Sequence, residues 1–343
     1  MEIINPKLSI CIATYNRGKF IAETLDSILY QMQPGVELIV VDGASPDNTE
    51  EVMKEYLFHY PEIRYYRESV NAGIDGDYDK AVGYALGTYC WLMTDDDILK
   101  PGAIKKVLFE LDGLRDLVVV NAETRIADLT KILIAKQLVI DGDRSYAKNE
   151  IESFFTECIG YLSFIGCVVV RRKFWMERDR RSFYGTLFIH VGVIFQQPRI
   201  ENVYIISDPQ LIIRYGNAMW TSRGFEIWSF IWPKLVWSFT EFSDDARRSA
   251  CDPAPWKSIK TLFYSRAIGT YSKNDFSKFI YLKTRGINRF LALGIAIFPA
   301  ALANIISLVY CIFFKVGPLD KYDLLRSRHA TLASQYLAKF LRN

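Results

Sequence analysis

C-x-x-C cysteine pairs, a marked charge excess and an internal repeat are all missing from this chain. Its six cysteines (Cys11, Cys90, Cys158, Cys167, Cys251, Cys311) are scattered among mostly apolar neighbours with no C-x-x-C pair. That excludes a disulfide framework and the usual zinc spacings, and it fits a reducing cytoplasm. The opening residues, MEIINPKLSICIATYN, carry an acidic side chain at position 2 and lack a basic n-region and a long apolar h-region. No secretory signal is expected, and the catalytic part is expected to stay cytoplasmic. A net charge of +3 with a pI near 8.4 is too mild for a phosphate-tracking surface, so nucleic acid is not an expected partner.

What is present is apolar. Over 343 residues the chain is 50% hydrophobic and 14% aromatic, with a mean hydropathy of +0.05. That exceeds what a soluble enzyme needs, and the excess lies toward the C-terminus. The length allows one α/β domain plus an appendage, expected at residues 1–220 and 221–343.

Residues 8–13 form an apolar run that stops at a polar loop, after which Phe20, Ile21, Leu25, Ile28 and Leu29 recur at helical spacing. Runs at 37–41, 63–66, 89–93 and 117–121 read as further strands, and 49–58, 78–86 and 101–111 as helices. Strands alternating with helices predict an α/β fold with a doubly wound, mostly parallel sheet, whose ligands bind outside the carboxyl ends of the strands. That rule selects three loops: residues 14–17, 42–45 and 95–97.

Asp95, Asp96 and Asp97 follow a strand directly, and three adjacent negative charges repel unless solvent or a cation offsets them. Mg²⁺ or Mn²⁺ is the natural partner, since a hard cation is held by one or two carboxylates plus substrate phosphates. A solvated acidic turn that caps the helix near Pro101 remains open. Asp42 suits a nucleobase or ribose, or simply an aspartate turn.

SICIATYNRGKFIAETLDSIL, ELIVVDGAS, NAGI and GTYCWLMTDDDILKPGAI, in that order and spacing, resemble the family 2 glycosyltransferases of the GT-A fold over about residues 7–125. The resemblance implies a metal-dependent, inverting transfer from a nucleoside-diphosphate sugar. By position, Thr14, Tyr15 and Asn16 line the nucleotide pocket, with Asp42 on the base or ribose. Asn71 and Gly73 lie near the nucleotide, Asp79 or Lys80 approaches sugar and phosphates, and Asp95, Asp96 and Asp97 form the metal and diphosphate motif with Asp96 as principal ligand. P-T-Y-N is A-T-Y-N here, and D-D-G-S is D-G-A-S, so Gly43 replaces an acid.

Such a transferase needs a general base, usually from an E-D motif. No clean E-D occurs in residues 160–200. His190 falls where the acid is expected, and its ordinary pKa near 6.5 suits base work. A buried core histidine is the competing reading. Asp179 is the reserve, although Arg178, Arg180 and Arg181 around it suggest a surface ion pair.

The D-D-D loop, GTLFIH and LIIRYGNAMW are also similar to the abequosyltransferase-like branch acting in lipopolysaccharide O-antigen assembly. On that likeness Arg214, Asn217 and Trp220 bind acceptor or donor sugar, Trp220 being equally readable as core.

Residues 290–314, FLALGIAIFPAALANIISLVYCIFF, carry no charge and are flanked by Arg285, Arg289 and Lys315. About 20 apolar residues cross a bilayer core, so membrane contact is expected, with Pro299 and Asn304 allowing a re-entrant hairpin as well as a span. The aromatic stretch 225–242 reads either as an interfacial helix or as a helix covering the sheet. An acceptor carried on a membrane lipid would unite these features, and the resemblance implies an undecaprenyl-diphosphate-linked saccharide at the cytoplasmic face of the inner membrane. Two other readings remain: an inactive GT-A scaffold in a polysaccharide complex, suggested by Gly43 and the missing E-D acid, and a nucleotidyltransferase, disfavoured because T-Y-N-R-G is a poor Gly- and Lys-containing phosphate loop.

Overall fold

Short apolar runs that bury both faces belong in the middle of a covered parallel sheet, and the computed structural model places them there. It describes residues 6–111 and 115–340. By contacts the chain forms two units: Met1–Tyr215 with Phe239–Ala250, and Gly216–Ser238 with Cys251–Asn343.

The first unit contains strands β1 (Leu8–Thr14), β2 (Val36–Asp42), β3 (Arg64–Arg67), β4 (Tyr89–Met93), β5 (Ile98–Leu99), β6 (Leu117–Ile126), β7 (Ile132–Ile134), β8 (Arg144–Tyr146), β9 (Val168–Arg171) and β10 (Val203–Tyr215). They form one mixed sheet in the order β3-β2-β1-β4-β9-β6-β10-β5, with β7 on β6 and β8 on β10. The pairs β1–β2, β1–β4, β2–β3 and β6–β10 are parallel. β9 runs antiparallel between β4 and β6, so the mostly parallel sheet carries one reversed strand at its centre.

Helix α1 (Ile21–Leu29) buries Ile21, Leu25 and Ile28, one apolar stripe at helical spacing. Helix α2 is Thr49–His59 and helix α3 is Gly73–Tyr84. The sequence pattern places α3 five residues too late, because its first turns bury Asp75 and Asp77 rather than apolar side chains. Further along are α4 (Ala103–Glu110), α5 (Ile151–Cys158), α6 (Arg172–Met176) and α7 (Ile189–Phe195). Phe239 and Phe242 join Phe155 and Phe195 in an aromatic cluster, the Phe155 and Phe242 rings stacking at 4.1 Å.

Register fixes the site. Thr14 pairs with Asp42 and Asp42 with Arg67, while Met93 pairs with Ile12. The acidic triplet therefore emerges from β4 level with the end of β1. Just after it, Ile98 and Leu99 pair with Ile212 and Leu211 of β10 and pin the loop downstream.

The second unit is helical. No single helix among the described residues is long and apolar enough to cross a membrane, but Gly286–Ile297 and Ala300–Phe313 form an apolar pair bent by 99° at Pro299. This pair buries mostly small side chains, together with Leu308 and Cys311, and exposes several large apolar ones. Ala292, Ala296, Ala300, Ala303, Asn304 and Ser307 are buried, while Phe290, Ile297, Leu302 and Phe313 stand 71%, 60%, 51% and 78% exposed. Asn304 is fully engaged, donating to the carbonyls of Ala267 and Leu324 and accepting from Ser334. All six cysteines are free.

Candidate functional site

Two tight loops shape one side of the site. Asn16 and Ala44 both adopt left-handed backbone (φ +58° and +60°), a conformation that L residues occupy at a cost. The loops are laced together: Asn16 N–H donates to Ser45 Oγ (2.9 Å), Arg17 N–H to Thr49 Oγ1 (3.0 Å) and Gly18 N–H to Asp47 Oδ2 (3.0 Å). Thr14 is buried, Tyr15 half-buried and Asn16 exposed. Asp42 is fully buried; its Oδ1 accepts from Ser45 N–H (2.8 Å), and its Oδ2 from Tyr65 Oη (2.7 Å) and Arg67 Nη1 (3.2 Å). It thus organises the loop after β2.

The structure divides the acidic triplet. Asp97 turns inward: its Oδ1 accepts from Arg214 N–H (2.7 Å), its Oδ2 from Thr94 Oγ1, and its carbonyl from Thr24 Oγ1. Asp95 and Asp96 instead face one guanidinium, with Arg17 Nε 3.4 Å from Asp95 and Nη2 3.2 Å from Asp96. Burial and the neighbouring Asp96 push the Asp95 carboxyl up to about 7. Such a pair gains from a cation, and two adjacent carboxylates are what a diphosphate-bound Mg²⁺ or Mn²⁺ uses. Among the described residues no group of three or more His, Cys, Asp or Glu side chains forms a full metal cage. The donor set fits a cation shared with substrate.

Arg214 departs from its expected role as a sugar ligand. Nε donates to the Asp96 carbonyl (2.9 Å), Nη1 to the Ala127 carbonyl (2.9 Å) and Nη2 to Glu23 (2.6 Å), so it braces the triplet from behind. Asp79 departs similarly. Its oxygens accept from Trp175 Nε1 (2.9 Å) and Tyr184 Oη (2.6 Å) and form an ion pair with Arg180, Nε lying 2.7 Å away, which clasps α3 to α6 and the segment after it. Lys80 is bonded to Glu68 at 2.8 Å. Asn71 is exposed and accepts from the N–H of Gly73, whose φ of +76° opens α3. Asn217 belongs to the second unit, and the Trp220 side chain lies outside the described residues.

His190 is buried in α7, with Nε2 2.7 Å from the Leu162 carbonyl and no hydrogen bond at Nδ1. Burial lowers its pKa to about 4. Asp75 of α3 holds the start of α7, accepting from Leu187 N–H (2.8 Å) and Ile189 N–H (3.0 Å). Asp179 is exposed and accepts from Ser182 N–H, and hydrogen bonding from the Ser182 side chain and backbone keeps its carboxyl low.

Two residues are not singled out by the sequence pattern, Arg17 within a strand-end loop and Asp77 outside all three. Arg17 is the cation set against Asp95 and Asp96, its signal being that it is the only basic residue in the three loops. Asp77 is buried beside Gly43, and nothing in its helical context marks it.

A mixed, mostly parallel sheet that gathers an aspartate-turn loop and a carboxylate pair at one edge, with a reversed strand beside the acidic loop, defines a GT-A domain. The chain belongs to glycosyl transferase family 2, whose profile "Glycosyl transferase family 2" matches residues 9–180. It is 29% identical to abequosyltransferase RfbV of Salmonella typhimurium over 232 residues, 63% of this chain and 69% of that protein. It is 30% identical to the putative glycosyltransferase EpsE of Bacillus subtilis over 124 residues, 36% of this chain and 45% of that one. Among solved structures, S. aureus TarS 1-349 in complex with UDP superposes with a TM-score of 0.55 at 14% identity, covering 97% of this chain and 92% of TarS.

Proposed function

We propose that this chain moves a sugar from a nucleoside-diphosphate sugar to a hydroxyl of a lipid-linked glycan, with inversion, during assembly of a cell-surface polysaccharide of the O-antigen kind. The observation that carries this is the buried Asp95–Asp96 pair level with the Thr14 and Asp42 loops. Family membership and the likeness to RfbV support the chemistry. The similar TarS structures are complexes with UDP and with UDP-GlcNAc, which supports a nucleotide-sugar donor.

Asp95 and Asp96 would hold Mg²⁺ or Mn²⁺, which supplies charge neutralisation at the departing diphosphate. Arg17 is placed to add positive charge beside them. The Leu162 carbonyl can only accept, so Nε2 of His190 carries the proton and Nδ1 presents a lone pair. In the base role that lone pair would take the acceptor hydroxyl proton as the oxygen bonds to the anomeric carbon and the carbon–diphosphate bond breaks, which requires the buried Nδ1 to be uncovered when acceptor binds. The exposed apolar side chains of the bent helix pair support contact with a membrane; in this reading that is the cytoplasmic face of the inner membrane, where an undecaprenyl-diphosphate-type acceptor would be presented.

Calorimetric titration of the detergent-purified protein with UDP, GDP, CDP and dTDP, with and without Mn²⁺ or Mg²⁺, tests the donor half. One nucleotide is expected to bind only with metal, and Asp96→Ala to abolish that binding. Failure of every nucleotide under every condition would leave a non-catalytic scaffold as the better account.

A further inference from the structure

The loop after β2 reads D-G-A-S, so position 43 lacks the acid of D-D-G-S. A Cβ built on Gly43 would meet Asp77 Oδ2 at 2.5 Å and Asn71 Oδ1 at 3.5 Å. The first distance is shorter than real Cβ contacts, so no side chain fits at 43 while Asp77 holds its position. Gly43 itself is fixed between the two loops, its N–H donating to the Thr14 carbonyl at 2.9 Å. The place of a Cβ at position 43 is thus taken by Asp77 Oδ2, projecting from α3.

Asp77 is 3% exposed, and its Oδ1 accepts no hydrogen bond. Lys80 Nζ stands 3.6 Å away but is bonded to Glu68 at 2.8 Å, so the ion pair leaves that oxygen short of a donor. A buried carboxylate oxygen in that state is costly unless a ligand completes it. The ligand that sits against the ends of β1 and β2 in a doubly wound sheet is a nucleotide.

Resting on the donor-site reading above, we propose that Asp77 accepts an N–H from the edge of the nucleobase, taking over from the acid absent at position 43, and that Gly43 makes room for it. Asp77 is then a base-specificity residue on α3, outside the strand-end loops.

The test titrates UDP, GDP, CDP and dTDP, with Mn²⁺ present, into wild type, Asp77→Asn, Gly43→Asp and the Gly43→Asp/Asp77→Ala double variant, each checked for an unchanged melting temperature. Asp77→Asn is expected to weaken the preferred nucleotide about ten- to a hundredfold and to change the ranking of the four bases. Gly43→Asp alone collides with Asp77 and loses binding; the double variant, with its acid moved back to the loop, recovers at least about tenfold over it. Equal weakening of all four nucleotides by Asp77→Asn, or no weakening, overturns the assignment while leaving the donor site intact. If wild type binds none of the four, both the donor site and the role of Asp77 fall.

Discussion

His190 is anchored through one ring nitrogen, and the consequences are testable by pH. Its folded pKa is lowered to about 4 by burial, against an ordinary value of 6.5. Between those values the unfolded chain binds a proton that the folded chain refuses, so stability is lost as pH falls from about 6.5 toward 4. Asp77 has the opposite sign: burial raises it to about 6, so its contribution improves over the same interval. Comparison with a variant isolates the histidine. Thermal melts from pH 7.5 to 4.5 are expected to show wild type losing more than His190→Gln does. If Nδ1 is also the base, the variant lowers kcat about a hundredfold or more with unchanged nucleotide affinity. A variant with wild-type kcat would make His190 a core residue only. At this scale the sequence exposes the residues at strand ends, such as Asp42 and Asp96, because an abrupt change from apolar to acidic is visible in one dimension. It conceals Asp77, whose partner Gly43 is 34 positions away and carries no side chain to signal the contact.

Helix α3 ties the site together. Asp75 bonds the first turn of α7, Tyr78 Oη donates to the Met93 carbonyl (2.9 Å) just before the triplet, and Asp79 clasps Trp175, Arg180 and Tyr184. One element thus sets the donor loops and the proposed base helix in register. Asp75→Ala strips two backbone N–H groups of their acceptor, at a cost of about 1–3 kcal/mol. The expected result is a lower melting temperature and a reduced kcat, with nucleotide affinity within about threefold of wild type, since Asp75 touches α7 and not the donor loops. Equal losses in both would mean that α3 itself has shifted. The alternation of buried runs and amphipathic helices makes β1, β2, β4, α1 and α2 readable from sequence. The start of α3 is not, since its buried face is acidic. The reversal of β9 is not either, because Val168, Val169 and Val170 are buried in the same manner whichever way the strand runs.

At the scale of the whole molecule, the second unit poses a solubility problem that its helix pair states plainly. Burying mainly alanine, serine and asparagine, with Leu308 and Cys311, while leaving Phe290, Ile297, Leu302, Ile306 and Phe313 exposed departs from the pattern of a helix packed in water. Composition alone showed 25 uncharged residues, but not that they would bend by 99° into two helices too short to span singly. If the pair inserts shallowly into one leaflet, in line with the membrane contact proposed above, Arg285, Arg289 and Lys315 flank it where anionic headgroups would lie. Phe290, Phe313 and Phe314 are 71%, 78% and 68% exposed, so replacing them should leave the fold unchanged. Each buried phenylalanine contributes about 1.5–3 kcal/mol on leaving water. The triple variant Phe290→Ser/Phe313→Ser/Phe314→Ser is therefore expected to lower partitioning of the full chain into anionic vesicles at least about a hundredfold, with its melting temperature and metal-dependent nucleotide binding retained. Wild type should also bind anionic vesicles better than zwitterionic ones, with the difference shrinking as salt rises. If wild type stays in the supernatant with both kinds of vesicle, the hairpin is not a membrane element, and the lipid-linked acceptor loses its structural support while the nucleotide site keeps its own.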